Sequence, residues 1–212
     1  MYGIMKFKKY INEDRNYGIK DEAKHIASIL KKDCMPFIKE MKSSSLQNWF
    51  YRATEHHYES ISKPIKPRKD RRPRNTPKEL HDYMDLRFKK KFGWKSRSEG
   101  VFVSSDKTIL EYTYGDPYLF FPIGSYKYVY HPEIGDIYER LDNKYSISYE
   151  TYTMTPELME EIEKEFDRIW SKYTDKNLKK AYINGVEVAF KCKSYYLVNE
   201  KYDYFHLKDY IY

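Results

Sequence analysis

Residues 184–198 constrain the chain more than any other stretch. Asn184-Gly185 is a turn dipeptide, and after it Val186, Val188 and Phe190 alternate with Glu187 and Lys191. That two-residue period is the signature of a strand. The alternation breaks at Lys193-Ser194, and a second apolar run, Tyr195–Val198, follows. Glu187 therefore falls near the start of a strand, just past a turn, on the face opposite the apolar residues. A strand fixes the direction of a side chain, so this is a good position for a working carboxylate. A solvated glutamate on an edge strand accounts for the same pattern, and the stretch alone does not separate the two.

The rest of the chain reads as helices first, then short strands with helices between them. Residues 1–18 are polar and mixed, a loosely held arm. Ala23, Ile26, Ala27 and Leu30, then Phe37, Ile38 and Met41, have helical spacing, with Pro36 starting a second helix or kinking the first. Leu46–Ala53 reads as an aromatic strand ending near Arg52. Residues 55–77 hold four prolines and a dense basic run and read as a long extended loop. Thr76 is placed to cap a helix that begins at Pro77, carries Leu80, Met84, Phe88 and Phe92 on one face, and stops at Gly93.

Gly100–Ser105 reads as a short strand, Asp106–Tyr114 as a short helix and Tyr118–Ile123 as a buried aromatic strand, with Lys127–Tyr130 continuing the sheet. Thr155 caps a helix over Pro156–Tyr173 with a core stripe of Leu158, Ile162, Phe166, Ile169 and Trp170. Tyr173–Gly185 reads as a polar loop, and Tyr202–Ile211 as a last strand or a frayed tail. The predicted fold is α+β, with two small packed sheets of mostly antiparallel or mixed strands and an N-terminal helical segment. Residues 1–42 form that segment and 43–212 the main domain, in which 63–95 is a basic loop and helix. No glycine-rich fingerprint follows a strand, and the chain has eight glycines in all, which argues against a doubly wound fold.

Composition narrows the function classes. The net charge of +7 makes an anionic partner plausible. Residues 63–95 hold 13 Lys and Arg against four acidic residues, so the positive charge is concentrated there, and Tyr83, Phe88, Phe92 and Trp94 accompany it. Clustering of this kind is what a nucleic-acid footprint needs, and a solvated helix face with core aromatics is the other reading. Two separated cysteines, Cys34 and Cys192, without a Cys/His cluster argue against a zinc site and a disulfide framework. His56-His57 are adjacent, and on an extended chain such side chains point apart, so no metal is expected. There is no apolar run of membrane-spanning length and no visible signal peptide, so a cytoplasmic protein without a membrane partner is expected.

Three separated pieces carry a resemblance. Trp49-Phe50-Tyr51-Arg52-Ala53 is similar to the aromatic-Arg strand of the Arg–Ser–Glu class of mono-ADP-ribosyltransferases, which includes clostridial-type toxins and their phage relatives. Gly100-Val101-Phe102-Val103-Ser104-Ser105 is similar to that family's Ser-Thr-Ser strand. Residues 186–198 resemble its catalytic-Glu strand, turn and following strand. Asp70–Pro77, His81 and Lys91–Ser98 resemble phage and prophage proteins assigned to the same superfamily.

The resemblance implies an ADP-ribosyltransferase core and NAD as substrate. It implies Glu187, Arg52 and Ser104 as catalytic residues, with Arg52, Ala53, Ser104, Ser105 and Arg97 contacting NAD. In that scheme Arg52 holds phosphate or ribose oxygens. Glu187 stabilises the positive charge that develops on the ribose, as in glycoside cleavage. Ser104 orients Glu187 by a hydrogen bond. Arginine-modifying members carry a second Glu two residues before the catalytic one, where this chain has Gly185. That departure and the basic stretch tilt the expected acceptor toward RNA or DNA, with Lys179, Lys180, Tyr182 and Asn184 as acceptor-binding residues. A phage–host conflict or toxin–antitoxin setting, with an antitoxin partner or an mRNA-modifying activity, goes with the resemblance. An NAD glycohydrolase, a protein-modifying transferase and a catalytically silent nucleic-acid-binding protein are the alternatives.

Overall fold

A computed structural model describes residues 2–42, 49–71, 76–108, 110, 115–147, 155–204 and 207–212. Side chains are described from residue 18 onward, except those of 203 and 204. The chain is α+β, and its strands form two antiparallel three-stranded sheets. Strands β1 (Tyr51–Thr54), β3 (Asp116–Pro122) and β6 (Tyr195–Asn199) form the first, in the order β1-β3-β6. Strands β2 (Val101–Val103), β5 (Val188–Cys192) and β4 (Tyr126–Tyr130) form the second, in the order β2-β5-β4. Consecutive strands β3 and β4 lie in different sheets, and so do β5 and β6, so both short connections pass between sheets rather than closing hairpins.

Strand alternation explains how the second sheet is buried on both faces. Val101, Val103, Tyr128, Tyr130, Val188 and Phe190 point into one core. Phe102, Val129 and Ala189 point into another. The first core lies against the first sheet, and helices α1 (Tyr2–Asp33) and α2 (Met35–Met41) add Ile26, Leu30, Phe37 and Met41 to it. Phe190 is fully buried at its centre, with ring centroids of Phe37, Phe50, Phe120, Tyr126 and Tyr128 between 5.1 and 6.0 Å away. Burying one such ring contributes about 2–3 kcal/mol.

The second core is built by α3 (Lys78–Phe92), α5 (Ile137–Tyr145) and α6 (Pro156–Trp170) against the outer face of the sheet. Helix α3 ends at Gly93, whose φ of 79° is a left-handed cap. The Thr155 hydroxyl caps α6 by accepting from the Leu158 N–H. The one-turn helix α4 (Ser96–Glu99) joins α3 to β2. Three later helices are short: α7 (Leu178–Ile183), α8 (Lys201–Tyr204) and α9 (Leu207–Ile211). No helix among the described residues is long and apolar enough to cross a membrane.

Several sequence expectations need correction. Residues 2–18, expected as a polar arm, are helical: α1 begins at Tyr2 and runs through them. The aromatic strand begins at Tyr51 and continues past Arg52 to Thr54, while 43–48 lie outside the described residues. Pro77 occupies the N-cap of α3, not its first turn, and no side chain caps that end. Strand β4 does not extend the sheet of β3. The expected loop at 173–185 contains α7, and the expected last strand is the pair of helices α8 and α9. The helix expected over Asp106–Tyr114 falls partly outside the described residues.

Candidate active site

The ladder between β2 and β5 sets the site. Val101 opposes Phe190, Phe102 opposes Ala189 and Val103 opposes Val188. One further step along this register places Ser104 opposite Glu187. Strand β1 is joined at the same point. The Tyr51 N–H donates to the Ser104 carbonyl at 2.7 Å and the Ser104 N–H returns to the Tyr51 carbonyl at 3.0 Å. The next residue on β1 is Arg52, whose Nη1 donates to the Phe102 carbonyl at 3.0 Å. Arg52, Ser104 and Glu187 are thus brought to one end of three neighbouring strands, although 135 positions separate the outer two in sequence.

Glu187 shares the face of Phe102 and Ala189, toward the helices of the second core. Part of its surface reaches solvent, but protein crowds it, and its carboxyl is pushed up to about 8. Burial is the main cause and the negative charge of Asp136 adds to it, while Arg97, Arg71 and Arg52 pull the other way without compensating. Asp136 is fixed as the N-cap of α5, accepting from the Tyr138 N–H at 2.7 Å. Arg71 and Arg97 place their guanidinium carbons 4.7 and 5.2 Å from the centre of the Phe102 ring. Tyr173 completes the wall, its hydroxyl pushed well up by burial within the fields of Arg97, Glu187 and Asp136. The result is a crowded carboxyl within the fields of three guanidinium groups, a place where an anion with a cationic end is complementary.

The raised value has a consequence for stability. The folded state holds the Glu187 proton more tightly than the unfolded chain, where the group has its ordinary value of 4.5. Its contribution is therefore complete below pH 4.5 and is lost as pH rises through about 8, at about 1.4 kcal/mol per pH unit. Glu187→Gln removes this loss. Urea unfolding at pH 4 and pH 9 is expected to show equal stabilities at the lower pH and a variant more stable by about a few kcal/mol, the slope accumulated over that window, at the higher. A variant less stable than wild type at pH 9 would contradict the assignment.

Other expected residues take different places. Ser104 does not hold Glu187: its hydroxyl proton goes to the Gly185 carbonyl at 3.2 Å, and its oxygen accepts from the Asp106 N–H at 3.0 Å. Ser105 donates to the Tyr182 carbonyl at 2.6 Å. Ala53 sits in β1 opposite Pro117. Arg97 does belong to the cluster. Lys179 donates to the Lys42 carbonyl at 2.7 Å, Asn184 to the Pro132 carbonyl at 2.7 Å, and the Tyr182 ring packs edge-on against Phe50 at 5.8 Å. Lys180 is exposed.

Phe102, Asp136 and Tyr173 were not foreseen in this site, and Arg71 was only one member of a basic run. The one available signal was Asp136 immediately before an apolar-periodic segment, the pattern of a helix cap rather than of a site. Neither of two surface grooves is lined by Glu187 or by the three arginines. One, of about 470 Å³, runs between α2, the end of α3 and β4, and is lined by Glu40, Phe92, Trp94, Tyr126 and Tyr128 among others. The second, of about 310 Å³, is lined by Ser105, Asp106, Tyr182, Ile183 and Gly185 and adjoins the start of the Glu187 strand.

Comparison with known proteins finds no matching family model, no matching curated protein and no matching solved structure.

Proposed function

We propose that the chain is an NAD-dependent mono-ADP-ribosyltransferase acting on a macromolecule, on an ADP-ribosyltransferase-like core of the two sheets. One observation carries the reading: a crowded carboxyl, Glu187, lies beside Ser104 within the field of Arg52, Arg71 and Arg97. NAD combines a pyrophosphate with a cationic nicotinamide–ribose bond. The guanidinium groups suit the first, and the carboxyl suits the second. Arrival of the cationic ring favours the ionised form of Glu187, so binding releases a proton near neutral pH. As the glycosidic bond breaks, the bonding pair leaves with nicotinamide and the ribose becomes positive. The Glu187 carboxylate then faces that charge in a poorly solvated site, where the attraction is greatest.

The role of Ser104 in this scheme is to hold the Gly185–Glu187 segment through the Gly185 carbonyl. A toxin setting with an antitoxin belongs to the same proposal. Purified protein incubated with NAD labelled in the adenosine half, alone and with cell extract, RNA or DNA, tests it. Nicotinamide release with label on a macromolecule is the expected result. Label in free ADP-ribose alone selects the hydrolase, and neither binding nor consumption of NAD at millimolar concentration ends the enzyme reading.

A further inference from the structure

We infer that the outer edge of β4 is a docking site for an extended segment of a partner protein, which adds there as an antiparallel strand and turns a basic side chain toward Glu40. The inference goes beyond the NAD reading and does not depend on it. In the order β2-β5-β4 the strand β4 comes last, so one side of its backbone has no strand beside it. The other outer strands are met by chain. Ile61 and Ile65 bridge to β6, and Tyr51 of β1 bridges to Ser104 just past β2. On β4 the one outer bridge among the described residues is at its end. There the Tyr130 N–H donates to the Thr174 carbonyl and the Thr174 N–H returns to the Tyr130 carbonyl, both at 3.0 Å. Backbone groups alternate in direction along a strand, so the N–H and C=O of Tyr126 and Tyr128 point the same way as those of Tyr130, away from β5. Such an edge is a template for one more strand.

The edge runs along the groove of about 470 Å³, whose lining includes residues 125–128. Tyr126 and Tyr128 face α2, and both hydroxyls donate to the Glu40 carboxylate, that of Tyr128 at 3.1 Å. The Tyr128 oxygen accepts from the Leu178 N–H at 3.2 Å. Burial, helped by the charge of Glu40, raises both phenols well above their ordinary value, so they stay neutral donors. Glu40 is therefore held in place without an ion pair among the described residues. The opposite side of the groove carries Phe92, half-buried, and Asp175, which lies in the field of Lys91 at the end of α3. Two carboxylates against Lys127, the one basic residue of the lining, favour a cationic occupant.

These surfaces fit a segment that alternates basic and apolar residues. In an antiparallel pair, the residues that exchange both hydrogen bonds with Tyr126 and Tyr128 lie directly opposite them and share their face. Those residues are the basic ones, beside Glu40, and the apolar ones between them turn toward Phe92. A second copy of β4 fits less well, because pairing two such edges about Lys127 sets like charges opposite each other.

A seven-residue peptide alternating valine and arginine, acetylated and amidated at its ends, is the probe. Titrated into the full chain and followed by NMR, it is expected to bind one to one and to shift the amide signals of residues 125–130. Methylating the backbone nitrogens of its arginines removes the donors that face β4 and should weaken binding at least about tenfold. Methylating those of its valines, which face solvent, should leave affinity within about threefold. Glu40→Gln keeps an acceptor for the tyrosine hydroxyls and should weaken the arginine peptide about tenfold. A peptide with glutamate in place of arginine should not bind. Equal effects of the two methylations overturn the added strand, and so does binding that leaves residues 125–130 unshifted. Binding indifferent both to Glu40→Gln and to glutamate in place of arginine overturns the basic partner. A chain that sediments as a dimer with these amides protected shows that a second copy covers the edge, which overturns it as well. NAD turnover enters none of these readings.

Discussion

Glu187→Gln is expected to lower NAD cleavage by about 1,000-fold while leaving NAD affinity within about threefold of wild type. The amide keeps the shape and the hydrogen-bonding capacity of the side chain. It loses the negative charge, and that charge interacts more strongly with the positive ribose of the transition state than with the bound substrate. The environment of Glu187 adds a pH dependence. With its carboxyl near 8 in the free protein, about one molecule in ten carries the charge at pH 7. The ratio kcat/KM should therefore rise about tenfold per pH unit below 8 and level off above it. Steady-state nicotinamide release between pH 5.5 and 9 measures this directly. Turnover like that of wild type in the variant, or a flat wild-type profile over pH 6–8, would mean that another group responds to the ribose charge.

The parts of this arrangement that were legible in the sequence are those that repeat locally. The alternation after Asn184-Gly185 announces β5 because Val188 and Phe190 are buried on one face, and that pattern needs only a few adjacent residues. Ile162, Phe166 and Ile169 announce α6 by a repeat that spans about two turns of helix. Helix α7 was missed because six residues bury only Leu178 and Ala181, too few to show a period, and because its Asn177 cap has a φ of 60° that reads as a turn. Helices α8 and α9 are about one turn each, and their tyrosines have strand propensity that tertiary packing of Tyr202, Leu207 and Ile211 overrides. Nothing local separates β3 from β4 into different sheets. For the same reason the approach of Asp106 to Gly185, and of Arg71 and Asp136 to Glu187, is invisible before folding.

Asp85→Ala is expected to cost about 3–4 kcal/mol of stability and to loosen the arginine cluster without touching it. Asp85 lies on α3 and is 2% exposed. Its carboxylate accepts from the backbone N–H of Arg97 at 2.8 Å, from that of Ser98 at 3.2 Å, and from the Ser98 hydroxyl. Lys95, the residue before α4, provides no side-chain cap, so Asp85 caps that helix from a neighbouring one. His81, held neutral chiefly by burial, has Nε2 3.0 Å from the Ser98 oxygen. Because Ser98 gives its proton to Asp85, His81 must donate through Nε2, and the chain of bonds runs from His81 through Ser98 to the carboxylate. Alanine leaves two backbone donors and one hydroxyl unsatisfied in a buried place. Asparagine keeps one acceptor oxygen and should cost about half as much. Because the Arg71 N–H donates to the Ser98 carbonyl at 3.2 Å, a displaced α4 moves both Arg71 and Arg97 from the Phe102 ring. NAD affinity should then fall by about tenfold, roughly the loss of one well-placed charged contact. Urea denaturation of the two variants beside an NAD titration reads both effects. A stability change under 0.5 kcal/mol for alanine would show that water, rather than Asp85, satisfies the turn.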